Sequence, residues 1–194
     1  LSLQNTGNTY SGTFTVGGSV SGLAGSGLVL RNNDGDDLAV NANGGFVFPS
    51  PLADGASYVV TIAMQPSNPS QTCHVANGSG SLAGANITDV SVNCITDTFT
   101  VGGIVSGLAG SGLILQNNAG DDLVIVANGS FTFDTPLADG SGYAVTVLTQ
   151  PGDPDQICDV SNGSGKLSGA DVVDITIMCI TNIDSIFANG FEDQ

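Results

Sequence analysis

Four cysteines are the residues in this chain best equipped for chemistry: Cys73, Cys94, Cys158 and Cys179. They could close disulfides, ligate a metal or cycle between redox states. A structural zinc site wants paired ligands at short spacing. The chain has no Cys-x-x-Cys, and its single histidine, His74, stands alone. A thioredoxin-type redox device lacks its motif for the same reason. Disulfide closure is the chemistry that remains. The acidic turn Asp34, Asp36 and Asp37, with Asp121 and Asp122 further on, supplies oxygens of the kind calcium takes. Calcium wants six to eight of them, and this spacing does not follow the EF-hand loop. A polar turn, rich in residues that tolerate positive φ, is the competing reading. His74 has no partner arrangement for a Ser-His-Asp device, and no catalytic constellation stands out. Asn77-Gly-Ser, Asn86-Ile-Thr, Asn128-Gly-Ser and Asn162-Gly-Ser fit a glycosylation acceptor, although Asn-Gly is also ordinary turn chemistry. The Gly-rich stretches lead into no helix, so they form no phosphate loop. No metal, cofactor or catalytic residue is expected.

The cysteines are positioned by a duplication. The stretch from Phe14 recurs from Phe99 at a constant offset of 85 residues, with no insertion or deletion. Phe14-Thr-Val-Gly-Gly becomes Phe99-Thr-Val-Gly-Gly, and Ser21-Gly-Leu-Ala-Gly-Ser-Gly-Leu becomes Ser106-Gly-Leu-Ala-Gly-Ser-Gly-Leu. Pro51-Leu-Ala-Asp-Gly returns as Pro136-Leu-Ala-Asp-Gly. A period this long marks a duplicated domain, since solenoid repeats are usually ~20–50 residues. Four cysteines allow three pairings. Duplication selects one, because each module must be self-sufficient: Cys73 with Cys94 and Cys158 with Cys179. The expected organisation is an N-terminal extension over 1–12, modules over 13–96 and 97–182, and an apolar C-terminal tail over 183–194.

Composition excludes several functions. The chain of 194 residues carries a net charge of −16, with Lys and Arg totalling two. Nucleic acid and anionic membranes both need Lys and Arg, so neither is a partner. No run of ~18 apolar residues is present to span a bilayer. Cystine pairs belong to an oxidising compartment, so a secreted or cell-surface protein is expected. The sequence opens at Leu1 without Met or a signal-peptide pattern, which reads as a processed chain or a fragment.

Residues that fill exposed helix faces are nearly absent, and β-branched runs alternate with Gly/Asn/Asp clusters, so the fold class is all-β. Seven strands are predicted in the first module: 13–20, 28–31, 38–41, 46–48, 58–64, 72–76 and 87–94. The longest alternates Tyr58, Val60, Ile62 and Met64 on one face. Residues 49–55 read as a loop, and a Gly/Ser-rich loop joins the last two strands. Such strands at this spacing build a β-sandwich. Cys94-Ile-Thr-Asp-Thr-Phe99 holds neither Pro nor Gly. A junction unlike a flexible linker predicts two sandwiches at a fixed angle in an elongated rod.

Gly17-Gly-Ser-Val-Ser-Gly-Leu, Leu28-Val-Leu, Asn43-Gly-Gly-Phe-Val-Phe and Pro51-Leu-Ala-Asp-Gly-Ala-Ser-Tyr-Val-Val-Thr resemble the prealbumin-like modules of bacterial surface proteins. These include collagen-adhesin B-type stalk domains and carboxypeptidase regulatory-like domains. The whole unit, with Gln-Thr-Cys and its final Cys, resembles tandem Cys-paired repeats of large secreted bacterial proteins. The resemblance spans about residues 13–181 and implies two tandem Ig-like or prealbumin-like β-sandwiches serving as stalk, spacer or shaft. Collagen-adhesin stalks often carry a Lys–Asn isopeptide crosslink, which the first module excludes because it has no Lys. Ile183-Asp-Ser-Ile-Phe-Ala-Asn-Gly-Phe-Glu resembles a short C-terminal signature of exported bacterial proteins. It reads as a sorting tag or fold-back segment, or as an apolar plug anchored by Ile186, Phe187 and Phe191.

These features together predict a non-enzymatic extracellular subunit that polymerises head to tail with itself. Leu1 and Leu3 alternate with polar residues like a strand for addition to a sheet. Ile183, Ile186, Phe187 and Phe191 are apolar groups in a polar tail, which call for a groove on the second module or on a neighbour. A host or environmental surface is a further candidate partner. The alternative is an adhesin or carbohydrate-binding module of a larger secreted protein.

Overall fold

The computed structural model describes residues 12–182. Each module contributes ten strands, and every strand of the second begins and ends 85 residues after its counterpart in the first. In the first module these are β1 (Thr13–Phe14), β2 (Val16–Ser21), β3 (Leu28–Asn32), β4 (Asp36–Val40), β5 (Gly44–Val47), β6 (Leu52–Ala53), β7 (Ser57–Met64), β8 (Gln71–Ala76), β9 (Ser79–Ser81) and β10 (Ile87–Thr96). The second holds β11 (Thr98–Phe99), β12 (Val101–Ser106), β13 (Leu113–Asn117), β14 (Asp121–Ile125), β15 (Gly129–Thr132), β16 (Leu137–Ala138), β17 (Gly142–Thr149), β18 (Gln156–Ser161), β19 (Ser164–Lys166) and β20 (Val172–Thr181). The chain divides into compact units after Thr96, and Asp97 alone separates β10 from β11.

In the first module one four-stranded sheet runs β5-β2-β10-β8 and the other β4-β3-β7-β9, with β1 and β6 as a short separate ladder. The second module has the same orders in its own strands. Both sheets turn apolar residues into one core: Val16, Val20, Val90 and Val92 from one side, Leu28, Leu30, Tyr58 and Val60 from the other. The second core is built alike from Val101, Val105, Ile175 and Ile177 against Leu113, Leu115 and Val145. Strict alternation produces this: in β3 the pattern Leu28-Val-Leu-Arg-Asn buries every second side chain. The result is an all-β pair of tandem β-sandwiches. Phe46 and Phe48 pack edge to face with ring centroids 5.8 Å apart, and Phe131 with Phe133 at 5.9 Å.

The Gly-Gly of the repeated Phe-Thr-Val-Gly-Gly motif has a steric reason. β2 and β10 are the one parallel pair of their module, with a bulge between Ile87 and Val90. That bulge drives the Val90 carbonyl against Gly18, where an added Cβ would lie 1.7 Å from its oxygen. Gly103 meets the Ile175 oxygen at 1.9 Å in the same way. Only glycine fits there.

Two details depart from the sequence reading. Residues 49–55 are not wholly loop, since β6 pairs with Thr13 and Phe14, and the strand expected over 13–20 is therefore split between two ladders. The split falls at Thr15, whose N–H donates to Asn86 Oδ1 at 2.9 Å and whose carbonyl accepts from Ile87. The Gly/Ser-rich connection also holds β9, three residues paired to the start of β7. Neither short ladder was legible, because two or three residues carry no readable periodicity.

Candidate functional site

The cysteines form the disulfides Cys73–Cys94 and Cys158–Cys179, each across 21 residues. Each joins directly opposed positions on adjacent strands, β8 with β10 and β18 with β20, and faces the core. The neighbouring backbone explains the fit. Gln65, at the end of β7, accepts from the Cys73 N–H at 2.8 Å and donates to the Cys73 carbonyl at 3.1 Å. The Cys73 main chain therefore points away from β10. Cys73 and Cys94 make a non-hydrogen-bonded pair, the kind in which opposite side chains stand closest, and their Cα atoms are 3.9 Å apart. Gln150 holds Cys158 with the same two bonds at the same distances.

Gln65 does a second thing. β8 is an outer strand of its sheet, and the glutamine amide occupies main-chain groups that an incoming strand would need. β4 and β5 lie at the other edge of the two sheets, joined by the turn 41–43. Between them runs a groove of about 330 Å³ lined by Leu38, Ala39, Val40, Phe46 and Val47. Its equivalent between β14 and β15 holds about 270 Å³ and is lined by Leu123, Val124, Ile125, Val126 and Phe131. Each groove is flanked by strands that have one ladder neighbour apiece.

The loop Ser21–Gly27 is fixed by buried amides. Gln71 is 2 % exposed; its Oε1 accepts from the N–H groups of Ala24 and Gly25, both at 2.8 Å, and its Nε2 donates to the Gly22 carbonyl at 2.8 Å. Asn43 clamps Leu23 from the other side, accepting from its N–H and donating to its carbonyl. Gln156 and Asn128 repeat the whole arrangement around Leu108, Ala109 and Gly110. Sequence reasoning missed these four amides. Their signal was present: Gln71 recurs as Gln156 although its neighbours Ser70 and Thr72 become Asp155 and Ile157.

The acidic turns are put to structural use. Asp36 accepts from the Ser50 N–H at 3.2 Å, and Asp121 from that of Thr135 at 3.3 Å. Asp37 forms a two-pronged ion pair with Arg31, and Asp122 accepts from Gln116 at 2.6 Å. Arg31 holds the Asp37 carboxyl below its ordinary value, chiefly through the hydrogen bond; desolvation opposes this, and the guanidinium charge adds a lesser lowering. No group of three or more His, Cys, Asp or Glu side chains converges among the described residues. His74 is exposed on β8, opposite Asn93. Asn77 donates to the Asp89 carbonyl and Asn162 to that of Asp174, both from left-handed turns. Leu1, Leu3, Ile183, Ile186, Phe187 and Phe191 lie outside the described residues.

No family model matches the sequence, and no curated protein matches it. Among solved structures, the chain is similar to tandem SHIRT domains 3–4 of a streptococcal cell-surface protein, at 15% identity and a TM-score of 0.24, covering 88% of this chain and 100% of that one. It is also similar to the major pilin protein T-13 of Streptococcus pyogenes, at 10% identity and a TM-score of 0.29, covering 89% of this chain and 98% of that one. TM-scores this low carry no inference about activity or assembly. The architecture itself is that of tandem β-sandwich repeats, each module pinned by its own disulfide.

Proposed function

We propose that this protein is a non-enzymatic extracellular structural subunit that assembles head to tail into a surface filament or fibre. One observation carries the reading. In both modules the amides and most of the turn carboxylates hold backbone or neighbouring side chains, and a groove lies between two strands that each have a single ladder neighbour. In this reading Leu1 and Leu3 enter such a groove on a neighbouring copy, adding main-chain bonds along β4 or β5, or along β14 or β15. A head-to-tail contact that does not close propagates as a helix. Ile183, Ile186, Phe187 and Phe191 dock on the next copy or on the second module. The cystines suit a secreted or cell-surface site. Deleting residues 1–10 and imaging the purified chain by electron microscopy tests the reading: filaments are expected to vanish, and unaltered filaments remove the N-terminal strand from it.

Nothing in the geometry favours the carbohydrate-binding alternative. Sugar sites in sheets rest on exposed aromatic faces, and no described aromatic residue is exposed.

A further inference from the structure

The outer face of the sheet formed by β12, β20 and β18 is apolar. Ile104 is 55% exposed, Ile157 45%, Met178 58% and Ile180 60%. Ile157 and Ile180 stand directly opposite each other across the β18–β20 ladder. Met178 lies two residues back along the same strand and so shares their face. Ile104 sits beside Thr176 on the parallel neighbour. The first module has Ser19, Thr72 and Asn93 where the second has Ile104, Ile157 and Met178, and keeps only Ile95, in the place of Ile180. An identical fold therefore carries a mostly polar face in one copy and an apolar one in the other.

The two modules also differ in how the chain leaves them. The first runs from β10 through Asp97 into β11. The second runs from β20 into Ile183-Asp-Ser-Ile-Phe-Ala-Asn-Gly-Phe. The root of that segment is fixed: the Asn182 N–H donates to the Asp155 carbonyl at 2.9 Å, at the end of the ladder where Ile157 and Ile180 lie. An extended residue spans ~3.3 Å, so Ile186 and Phe187 have a reach of roughly 13–17 Å from Asn182. Measured from the same root, Thr176 lies six residues back along β20, or about 20 Å, which is within the roughly 30 Å reach of Phe191. The segment is long enough to cover the patch, and its tether gives it a high effective concentration there.

We infer that the tail Ile183–Phe191 folds back in its own molecule onto the face made by Ile104, Ile157, Met178 and Ile180. This rests on the reading above of the tail as a docking segment and names its acceptor. Asp159 lies opposite Met178 on this face, and the tail carries Asp184, Glu192 and Asp193. The contact is thus apolar at its centre and like-charged at its rim, so screening strengthens it.

The test compares the full chain with a chain ending at Asn182 by methyl NMR. Removing the tail is expected to shift the methyl signals of Ile104, Ile157, Met178 and Ile180 equally at every protein concentration. A labelled peptide of residues 183–194 is expected to bind the shortened chain saturably, and more tightly as salt is raised. The variant Ile104→Ser/Ile157→Thr/Met178→Asn carries the first module's residues, which that fold already accommodates, and is expected to weaken the peptide at least about tenfold through loss of apolar contact. Unshifted methyls, equal binding to the variant, or no binding overturn the inference. Shifts that grow with protein concentration overturn it too, by assigning the tail to a neighbouring copy. The filament reading is tested by the N-terminal deletion, so the two fail separately.

Discussion

The two modules are one experiment performed twice. Their strands share every boundary, yet their surfaces have parted. Gly18 and Gly103 are both glycine because each touches a carbonyl across the parallel ladder. Gln65, Gln71 and Asn43 recur as Gln150, Gln156 and Asn128 because each holds main chain. Side chains that point to solvent have changed chemistry: Ser19 to Ile104, Arg31 to Gln116, Asp34 to Ala119, Asn93 to Met178. The first module carries five Asp and the second ten. The shared residues are those that touch backbone, and the differences lie on the outward faces.

The heaviest blow to that symmetry is removal of a cystine. Both disulfides close the same span, so Cys73→Ala/Cys94→Ala and Cys158→Ala/Cys179→Ala are each expected to cost about 3 kcal/mol in the module that carries them. Hydrogen exchange read by mass spectrometry on the full chain resolves the two modules. Clearly unequal losses would mean that the modules are not energetic equivalents. Next come the buried glutamines. Gln71→Leu and Gln156→Leu each strand two N–H groups and a carbonyl of the Gly-rich loop, for about 2 kcal/mol apiece. An effect confined to surface noise would show that water replaces the amide freely.

A smaller effect tests divergence instead of identity. Residues 33 and 34 both take positive φ in the β3–β4 turn, and so do 118 and 119 in β13–β14. Asp34 at φ 60° is a tolerated resident of that region, whereas Ala119 at φ 56° is not. Ala119→Asn is therefore expected to stabilise the second module by about 0.5–1 kcal/mol, and Asp34→Ala to destabilise the first by a similar amount. Thermal unfolding of the two variants measures both signs. A loss of stability in Ala119→Asn would mean that the alanine is held there by something other than the turn.

Much of this was legible in the residues. Alternation in Tyr58–Met64 and Leu28–Arg31 gave strands, and the period gave two modules' worth of core and the cystine partners. The short ladders β6 and β9 were not legible, since Leu52–Ala53 and Ser79–Ser81 are too brief for a pattern and owe their pairing to distant strands. Nor was the work of Gln71 or Gln65, because a polar residue beside a strand reads as solvent-facing until its partners are known. The acidic turn read as either a calcium loop or a polar turn; Asp36, Asp37, Asp121 and Asp122 accept from Ser50, Arg31, Thr135 and Gln116. Leu1, Leu3 and the tail residues lie outside the described residues.

The finest difference between the modules is a single ion pair. Arg31 Nε donates to Asp37 Oδ1 at 2.6 Å and Nη2 to Oδ2 at 2.8 Å, across the β3–β4 ladder. In the second module Gln116 offers one neutral N–H in its place. The Asp37 carboxyl titrates lower in the folded chain than its ordinary value of 3.8. A group depressed by folding contributes stability above its unfolded value, and that contribution is lost as pH falls through the lower folded one. The pair is exposed, so the effect is small and weakens with salt. Arg31→Gln, which writes the second module's residue into the first, is expected to raise the Asp37 midpoint toward 3.8 in carboxyl-carbon NMR titration. It should also remove a slight extra acid sensitivity from the first module below that pH. An unmoved midpoint would mean that the guanidinium does not govern this carboxylate, and the divergence at 31 and 116 would then be neutral drift on an outward face.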